Sequence, residues 1–190
     1  MPHALPKRLT EPVGRTLART GVSPNMITTA GLIGAVGAAV LVARGEFLAG
    51  GIVMLAAAAL DLLDGIVARA SGRVTAFGGV FDSVCDRLSE AAVLGGLVFR
   101  LASEGKREEV VLAFAAVVGS LMVSYLRARA EAAGLELREG LFTRPERVIV
   151  LGVGLIFDVV RIALWILAIA ANLTVVQRLW AVRSKTEHGR

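Results

Sequence analysis

The chain has 190 residues, of which 55% are hydrophobic and 19% are charged, and it carries a formal net charge of +5. Its mean hydropathy of +0.69 is too high for an ordinary soluble domain of this size, so the composition favours a polytopic membrane protein over a soluble one. Cys85 is the only cysteine, which excludes an internal disulfide framework. We expect one domain over residues 1–190 and no nucleic-acid partner.

Residues 1–22 predict an interfacial amphipathic helix that lies beside the membrane. Apolar residues recur every four positions from Leu5 to Leu17, and basic residues occupy the other faces. A solvated basic tail is the alternative interpretation of the same pattern. Ser23 and Pro24 then mark a helix start, because serine is a good N-terminal cap and proline suits the first turn.

Six apolar stretches follow, and each is close to the length of about 20 residues that a helix needs to cross a membrane, although the fifth is short. They are residues 24–43, 47–70, 79–102, 108–131, 145–159 and 161–182. We therefore predict an all-α integral membrane protein with six transmembrane helices, which form a bundle over residues 24–182. Residues 183–190 are expected to form a cytoplasmic tail.

Basic residues are unevenly distributed between the two ends of these stretches. They are common before the first stretch, after the second, between the fourth and the fifth, and after the sixth. The opposite ends have only Arg44, Arg100, Lys106, Arg107 and Arg161. The positive-inside rule then places both termini on the cytoplasmic side of the cytoplasmic (inner) membrane.

Four aspartates interrupt the apolar pattern on this predicted cytoplasmic side. Asp61 and Asp64 are three residues apart, which places them on one face of a helix. Asp82 and Asp86, four residues apart, share a face of the next helix, and the short connection allows the two pairs to converge. Oxygen ligands without histidine favour a hard cation, Mg²⁺ or Mn²⁺. Four carboxylates suggest two ions, an arrangement that suits phosphoryl chemistry.

Small and basic residues accompany the aspartates. Gly65 and Ala68 lack bulk on the same helix face, so either another helix or a flat ligand approaches the backbone there. The complete run reads Asp61-x2-Asp64-Gly65-x2-Ala68-Arg69-x8-Gly78-x3-Asp82-x3-Asp86. At every signature position this run resembles the motif of the CDP-alcohol phosphotransferase family.

The resemblance implies a reaction and a division of roles. A phosphatidyl group would pass from CDP-diacylglycerol to the hydroxyl of a small polar alcohol, with release of CMP, in a homodimeric membrane enzyme. Asp61, Asp64 and Asp82 would ligate the metal ions. Asp86 would contribute to the metal site and act as the base towards the acceptor hydroxyl.

The resemblance also implies a pocket for the CDP-lipid. Its motif residues would be Gly65, Ala68, Arg69 and Gly78. Asn25 and Thr28 resemble polar residues that help to hold the nucleotide at the start of the first span, with helix capping as the alternative. Arg73 and Thr75 are further nucleotide candidates in the loop after the second stretch.

The acceptor site should be basic if the acceptor is itself a phosphate ester. Four residues point to such a site: Ser124, Arg127, Arg147 and Arg178. Ser124 and Arg127 share one face of the fourth predicted helix. Arg178 lies within an apolar helix, where an arginine requires an anionic partner. Arginines that extend to the membrane surface are the alternative interpretation.

These four positions resemble the acceptor-phosphate site of the phosphatidylinositol-phosphate synthases in that family, although Arg127 stands where a lysine is often found. The resemblance implies inositol 1-phosphate as the acceptor. Glycerol 3-phosphate, which would give phosphatidylglycerophosphate, is the alternative acceptor, and the donor is either a diacyl or an ether lipid.

Two other classes of protein use acidic residues inside a membrane. Intramembrane prenyltransferases carry two aspartate motifs that lie far apart, and this interpretation leaves Gly65, Ala68 and Arg69 unexplained. An ion-coupled carrier would use the acids as a path for cations. The inverted repeats and broken helices typical of such carriers are not visible in this sequence.

Overall fold

The structure is a computed structural model that describes residues 23–70, 72, 74–137 and 139–188. Within these ranges every regular element is an α-helix, so the predicted all-α class is confirmed. The helices are α1 (Pro24–Ala43), α2 (Phe47–Ala70), α3 (Ala76–Ser103), α4 (Arg107–Ala132), α5 (Arg144–Ile156) and α6 (Val160–His188). The predicted interfacial helix over 1–22 and the nucleotide candidate Arg73 lie outside the described residues.

Each predicted apolar stretch overlaps one helix, but the fifth, predicted over 145–159, is helical only to Ile156 because residues 157–159 turn into the last helix. By length and apolar composition, α1, α2, α4 and α6 can each cross a membrane, as expected of a multi-pass membrane protein. α3 is 28 residues long, but Asp86, Arg87 and Glu90 lie near its middle. α5 has 13 residues. That length gives about 20 Å of helix against a hydrocarbon core of about 30 Å.

The helix starts agree with the local sequence. Ser23 caps α1 by accepting a hydrogen bond from the backbone amide of Met26 at 3.3 Å, and Pro24 is the first helical residue, as predicted. Thr75 caps α3 in the same way, since its hydroxyl accepts a hydrogen bond from the amide of Gly78 at 3.0 Å. These caps fix where the two helices begin beside the aspartates.

The last helix is longer than the span that the sequence predicts. α6 continues through His188, so residues 183–188 of the predicted tail are helical. An ion pair of 2.8 Å between Arg183 and Glu187, one turn apart, supports this exposed segment. The extension also carries Lys185, which contacts the connection between α4 and α5.

The helices pack in two groups that are connected by α5 and by the contact between α3 and α4. α1 packs against α2 and α3, α4 packs against α6, and α5 contacts both α2 and α6. Small residues allow close crossings, since Gly96 of α3 faces the backbone of Ala39 in α1 and Gly119 of α4 faces Ala171 in α6. The start of α5 thereby lies beside the aspartates of α2 and α3.

The apolar core runs along the middle of the bundle. Its fully buried members are mainly leucines of α3, α5 and α6, namely Leu94, Leu97, Leu151, Leu155, Leu164 and Leu167. Large apolar side chains also cover the outside, and Phe99 and Phe114, for example, are 68% and 66% exposed. An apolar exterior of this kind suits a lipid solvent, in agreement with the composition.

Candidate active site

Three of the four aspartates in the motif gather at one end of the bundle. Asp61, Asp64 and Asp82 each present a carboxylate oxygen, and these three oxygens lie within 4.8 Å of one another. Asp64 is buried, and Asp61 and Asp82 are partly buried. Oxygen donors alone at this separation fit a hard divalent cation such as Mg²⁺ or Mn²⁺.

Asp86 lies next to this group of three oxygens and not within it. Its Oδ1 is 2.9 Å from Nη1 of Arg144, whose Nη2 pairs with Asp61. The contact with Arg144 lacks hydrogen-bond geometry, because Asp86 Oδ1 is buried and accepts no hydrogen bond within the described residues. A buried carboxylate oxygen with unused capacity to accept is a second feature that fits a cation nearby.

Arg144 is the first residue of α5, and its link to the aspartates is not evident from the sequence. Its guanidinium joins Asp61 of α2 to Asp86 of α3. Charge compensation explains this position, because carboxylates this close together repel one another unless a cation lies among them. The one sequence feature that could have indicated a site role for Arg144 is its spacing of three residues from Arg147, which places both arginines on one face of α5.

α1 supports the aspartates from the side. Thr28 is buried and donates a hydrogen bond of 2.5 Å to Oδ2 of Asp64. A Cβ added at Gly31 would lie 2.9 Å from Oδ1 of Asp61, so a larger residue there would displace that carboxylate. The side chain of Thr28, a predicted nucleotide residue, is thus engaged with the aspartate cluster.

Three other predicted CDP-lipid residues meet where α1 and α3 begin. A Cβ added at Gly78 would lie 3.0 Å from Oγ1 of Thr75 and 3.5 Å from Oδ1 of Asn25. The hydroxyl of Thr75 serves as the cap of α3. A side chain at Gly78 would crowd the capping hydroxyl of Thr75, so the glycine allows the starts of α1 and α3 to lie close together.

Gly65, Ala68 and Arg69 lie on the last turns of α2. Gly65 and Ala68 are partly buried, whereas Arg69 is exposed. A Cβ added at Gly65 would lie 3.3 Å from Nη1 of Arg69, so the guanidinium covers the space that the glycine leaves. Arg69 thus places a positive charge directly over Gly65, an arrangement that suits an anionic ligand.

A cavity of ≈ 890 Å³ opens beside the aspartates. Asp82 and Asp86 line one part of its wall. All four predicted acceptor residues line the same cavity: Ser124, Arg127, Arg147 and Arg178. The fold therefore brings together an acidic region and a basic region that are far apart in the sequence.

Two arginines of the cavity pair with carboxylates. Arg147 is 2% exposed and donates two hydrogen bonds to Glu90, of 2.7 Å and 2.9 Å. Arg127 is exposed and pairs with Glu131 at 3.0 Å. Glu90 is absent from the residues predicted for the site, although it follows Asp86 by one turn on the same helix face.

Arg178 contacts the backbone of the connection between α4 and α5. It is 4% exposed, and its Nε donates to the carbonyl of Glu139 at 2.9 Å. Its Nη1 donates to the carbonyl of Val123 in α4. Lys185 pairs with the carboxylate of Glu139 at 2.6 Å, so two residues of α6 hold Glu139 in this connection.

Comparison with protein families and with characterised proteins finds relatives over most of the chain. A family model described as CDP-alcohol phosphatidyltransferase matches residues 21–179. The phosphatidylinositol phosphate synthase of Mycobacteroides abscessus is 39% identical over 186 residues, which cover 93% of this chain and 84% of that protein. The archaetidylinositol phosphate synthase of Pyrococcus horikoshii is 38% identical over 189 residues, which cover 96% of this chain and 95% of that protein.

Two crystal structures of the Mycobacterium tuberculosis phosphatidylinositol phosphate synthase resemble this structure. The one with CDP-DAG bound has a TM-score of 0.85 and 36% sequence identity, and the match covers 92% of this chain and 94% of that chain. The one in complex with manganese and citrate has a TM-score of 0.83 and 37% identity, with 91% and 88% covered. The similarity thus extends over nearly the whole chain.

Proposed function

The chain belongs to the CDP-alcohol phosphatidyltransferase family, and on that basis we propose that it transfers a phosphatidyl group from CDP-diacylglycerol to inositol 1-phosphate. The acceptor hydroxyl oxygen forms a bond to the phosphorus that carries the lipid, and the bond from that phosphorus to CMP breaks. The proton of the hydroxyl passes to a base. The products are phosphatidylinositol phosphate and CMP.

One observation carries the proposal, namely the single cavity that Asp82 and Asp86 share with Arg147 and Arg178. The acidic part suits metal-assisted phosphoryl transfer, and the basic part suits an acceptor that itself carries a phosphate. An uncharged acceptor such as free inositol would leave the buried Arg178 without an anionic partner. The cavity therefore favours a phosphorylated alcohol.

Asp61, Asp64 and Asp82 would hold Mg²⁺ or Mn²⁺, and Asp86 would complete a site for two ions. The manganese in the related Mycobacterium tuberculosis structure supports this choice of cation. When bound, the ions neutralise the diphosphate and stabilise the charge that develops on the departing CMP. Asp86 lies outside the three-oxygen group and lines the cavity, so its carboxylate is available to accept the proton of the acceptor hydroxyl.

The donor would bind across the adjoining ends of α1, α2 and α3. Gly65 and Ala68 lack bulk on this face, and Arg69, which lies over Gly65, would pair with the diphosphate of the donor. The further candidates for the nucleotide site are Asn25, Thr28, Arg73, Thr75 and Gly78. Of these, Thr28 would act through Asp64, to which it donates a hydrogen bond. The CDP-DAG in the related crystal structure supports this class of donor.

The acceptor phosphate would bind among Ser124, Arg127, Arg147 and Arg178. One relative is named phosphatidylinositol phosphate synthase and another archaetidylinositol phosphate synthase, which supports inositol 1-phosphate over glycerol 3-phosphate. The name of the Pyrococcus horikoshii relative makes an archaeal ether lipid the alternative donor.

The proposal extends to the arrangement of the whole chain in the membrane. α3 and α5 would complete six spans within one domain of residues 1–190, because Glu90 in α3 and Arg147 in α5 are paired with each other inside the bundle. The distribution of basic residues supports a cytoplasmic position for both termini and the site, in the inner membrane. A homodimer is proposed from family membership.

A panel of acceptors tests the proposed function. The purified chain in lipid nanodiscs receives CDP-diacylglycerol or CDP-archaeol, Mg²⁺ and, in parallel, inositol 1-phosphate, glycerol 3-phosphate, free inositol or serine. We expect CMP release and phosphatidylinositol phosphate, identified by mass spectrometry, with inositol 1-phosphate alone. If only glycerol 3-phosphate gives a product, then glycerol 3-phosphate is the acceptor and not inositol 1-phosphate. A preference for CDP-archaeol would identify an ether lipid as the donor. Absence of CMP release with every pair would refute the proposal.

A further inference from the structure

Glu90 is a buried acid in α3 to which the proposed reaction assigns no role. It is 7% exposed and follows Asp82 and Asp86 at intervals of four residues, so it continues the acidic face of α3. Its carboxylate is not part of the three-oxygen group. A carboxylate removed from water in this way requires a partner of opposite charge, so its contacts indicate what it does.

Both oxygens of the Glu90 carboxylate are occupied. Arg147 of α5 donates from Nε to Oε1 at 2.7 Å and from Nη2 to Oε2 at 2.9 Å, which is a two-point contact between planar groups. Ser120 of α4 donates to Oε1 at 2.8 Å. Glu90 therefore joins α4 and α5 to α3, and the plane of the Arg147 guanidinium is fixed.

The third nitrogen of Arg147 remains available to a ligand. Among the described residues, Nη1 has only a long contact of 3.4 Å with the carbonyl of Phe142. Arg147 and Glu90 both line the large cavity. Arg178 lines it too, but it donates to backbone carbonyls and forms no carboxylate ion pair within the part of the chain that the structure describes. Arg147 is thus neutralised and fixed, whereas the charge of Arg178 is not compensated by such a pair.

We propose that Glu90 is a positioning residue that aims Arg147 at the phosphate of the acceptor, and that Ser120 orients Glu90 for this purpose. The inference rests on the proposed function, because it takes the cavity to be the acceptor site. Arg147 then donates an oriented hydrogen bond to the acceptor phosphate, and Arg178 provides the net positive charge. A guanidinium whose orientation is already fixed loses less conformational entropy when the acceptor binds.

Glu90→Gln tests this inference with little change in side-chain volume. The amide cannot form the two-point ionic contact, so Arg147 is released. We expect the acceptor KM, and the inhibition constant of inorganic phosphate as a competitor of the acceptor, to rise about tenfold or more, as for loss of one charge-assisted contact. The KM for CDP-diacylglycerol should not change. Ser120→Ala leaves the ion pair in place and should give a smaller rise in the same two constants.

Glu108→Gln is the matched control. Glu108 lies at the other end of α4 and forms an exposed ion pair of 2.6 Å with Arg161, so both acceptor constants should equal those of the wild type. Thermal melting of each variant separates positioning from folding. A lower melting temperature of Glu90→Gln with unchanged acceptor KM and phosphate inhibition would overturn the inference and leave Glu90 a purely structural link. If Glu90→Gln does not fold, the same two constants are measured in Ser120→Ala, and unchanged values there would overturn the inference.

Failure of the proposed function would give a different result. In that case the wild-type chain forms no product from inositol 1-phosphate in the acceptor panel. Failure of the inference on Glu90 leaves wild-type transfer intact and the acceptor constants of both variants unchanged.

Discussion

Thr28 of α1 donates a hydrogen bond of 2.5 Å to the carboxylate of Asp64 in α2, and both residues are buried. The two residues are 36 positions apart, and Thr28 does not belong to the aspartate motif. A hydroxyl in this position orients one carboxylate oxygen and leaves the other for a cation. The first helix thus contributes to the proposed metal site without supplying a ligand.

Thr28→Val keeps the shape of this side chain and removes its hydroxyl. We expect the affinity for Mn²⁺ to fall about tenfold or more, because loss of an outer contact to a metal ligand commonly has an effect of this size. Titration of Mn²⁺ followed by electron paramagnetic resonance measures the affinity without turnover. Thr29→Val is the control, since Thr29 is exposed and its hydroxyl donates to the backbone carbonyl of Asn25 at 2.8 Å. Wild-type affinity in both variants would show that Thr28 does not support the metal site.

Gly31→Ala places a methyl carbon 2.9 Å from Oδ1 of Asp61. Real Cβ atoms do not approach an oxygen so closely, so the carboxylate has to move. We expect weaker Mn²⁺ binding and a lower kcat, with the helix content unchanged by circular dichroism. Gly37→Ala on the same helix is the matched control, because a Cβ there meets nothing within 4 Å. Wild-type turnover by Gly31→Ala would contradict the close approach of α1 to Asp61.

The helices could be predicted because each is apolar over most of its length. α3, for example, is predicted over 79–102 and spans Ala76–Ser103. The end of α6 could not be placed in this way. Its last turns are held by the pair Arg183–Glu187 and by the contact of Lys185 with Glu139, and a hydropathy pattern contains no information on such contacts.

The aspartate cluster could be anticipated because local spacing alone places its members on helix faces. The roles of Arg144 and Glu90 could not, since they depend on contacts across 83 and 57 residues. One sequence does not show which distant residues meet. The sequence predicts Arg147 as a phosphate ligand. For the same reason, it does not show that Glu90 neutralises this arginine, which is seen only in the folded structure.

Arg178→Ala removes a buried guanidinium that has no carboxylate ion pair within the described residues. Because its charge would meet the acceptor phosphate, we expect the acceptor KM to rise about tenfold or more and the donor KM to change much less. Steady-state kinetics with each substrate varied in turn gives both constants. Arg183→Ala is the control on the same helix, where the side chain is exposed and pairs with Glu187. Equal increases in both KM values would instead assign Arg178 to holding the backbone at Glu139.

Arg144→Gln removes the cation that joins Asp61 and Asp86. The carboxylates then repel one another in the metal-free protein, and Mn²⁺ supplies a replacement charge. We expect a lower melting temperature in EDTA and a smaller difference from wild type in saturating Mn²⁺. Arg100→Gln, which breaks the pair with Glu104 at the other end of the bundle, should shift the melting temperature equally in both conditions. An equal shift for Arg144→Gln would argue against charge compensation at the aspartates.

Asp86→Asn tests the proposed base. Asparagine keeps the volume but does not accept a proton at neutral pH, so kcat should fall by about 10²-fold or more. Because Asp86 lies outside the three-oxygen group, Mn²⁺ and CDP-diacylglycerol should still bind, at least in part. Asp82→Asn is the comparison, since Asp82 belongs to that group and its loss should remove Mn²⁺ binding and turnover together. Turnover of Asp86→Asn at the wild-type rate would exclude Asp86 as the base. Complete loss of Mn²⁺ binding would make Asp86 a metal ligand equivalent to Asp82, and the proton would then need another acceptor on the cavity wall.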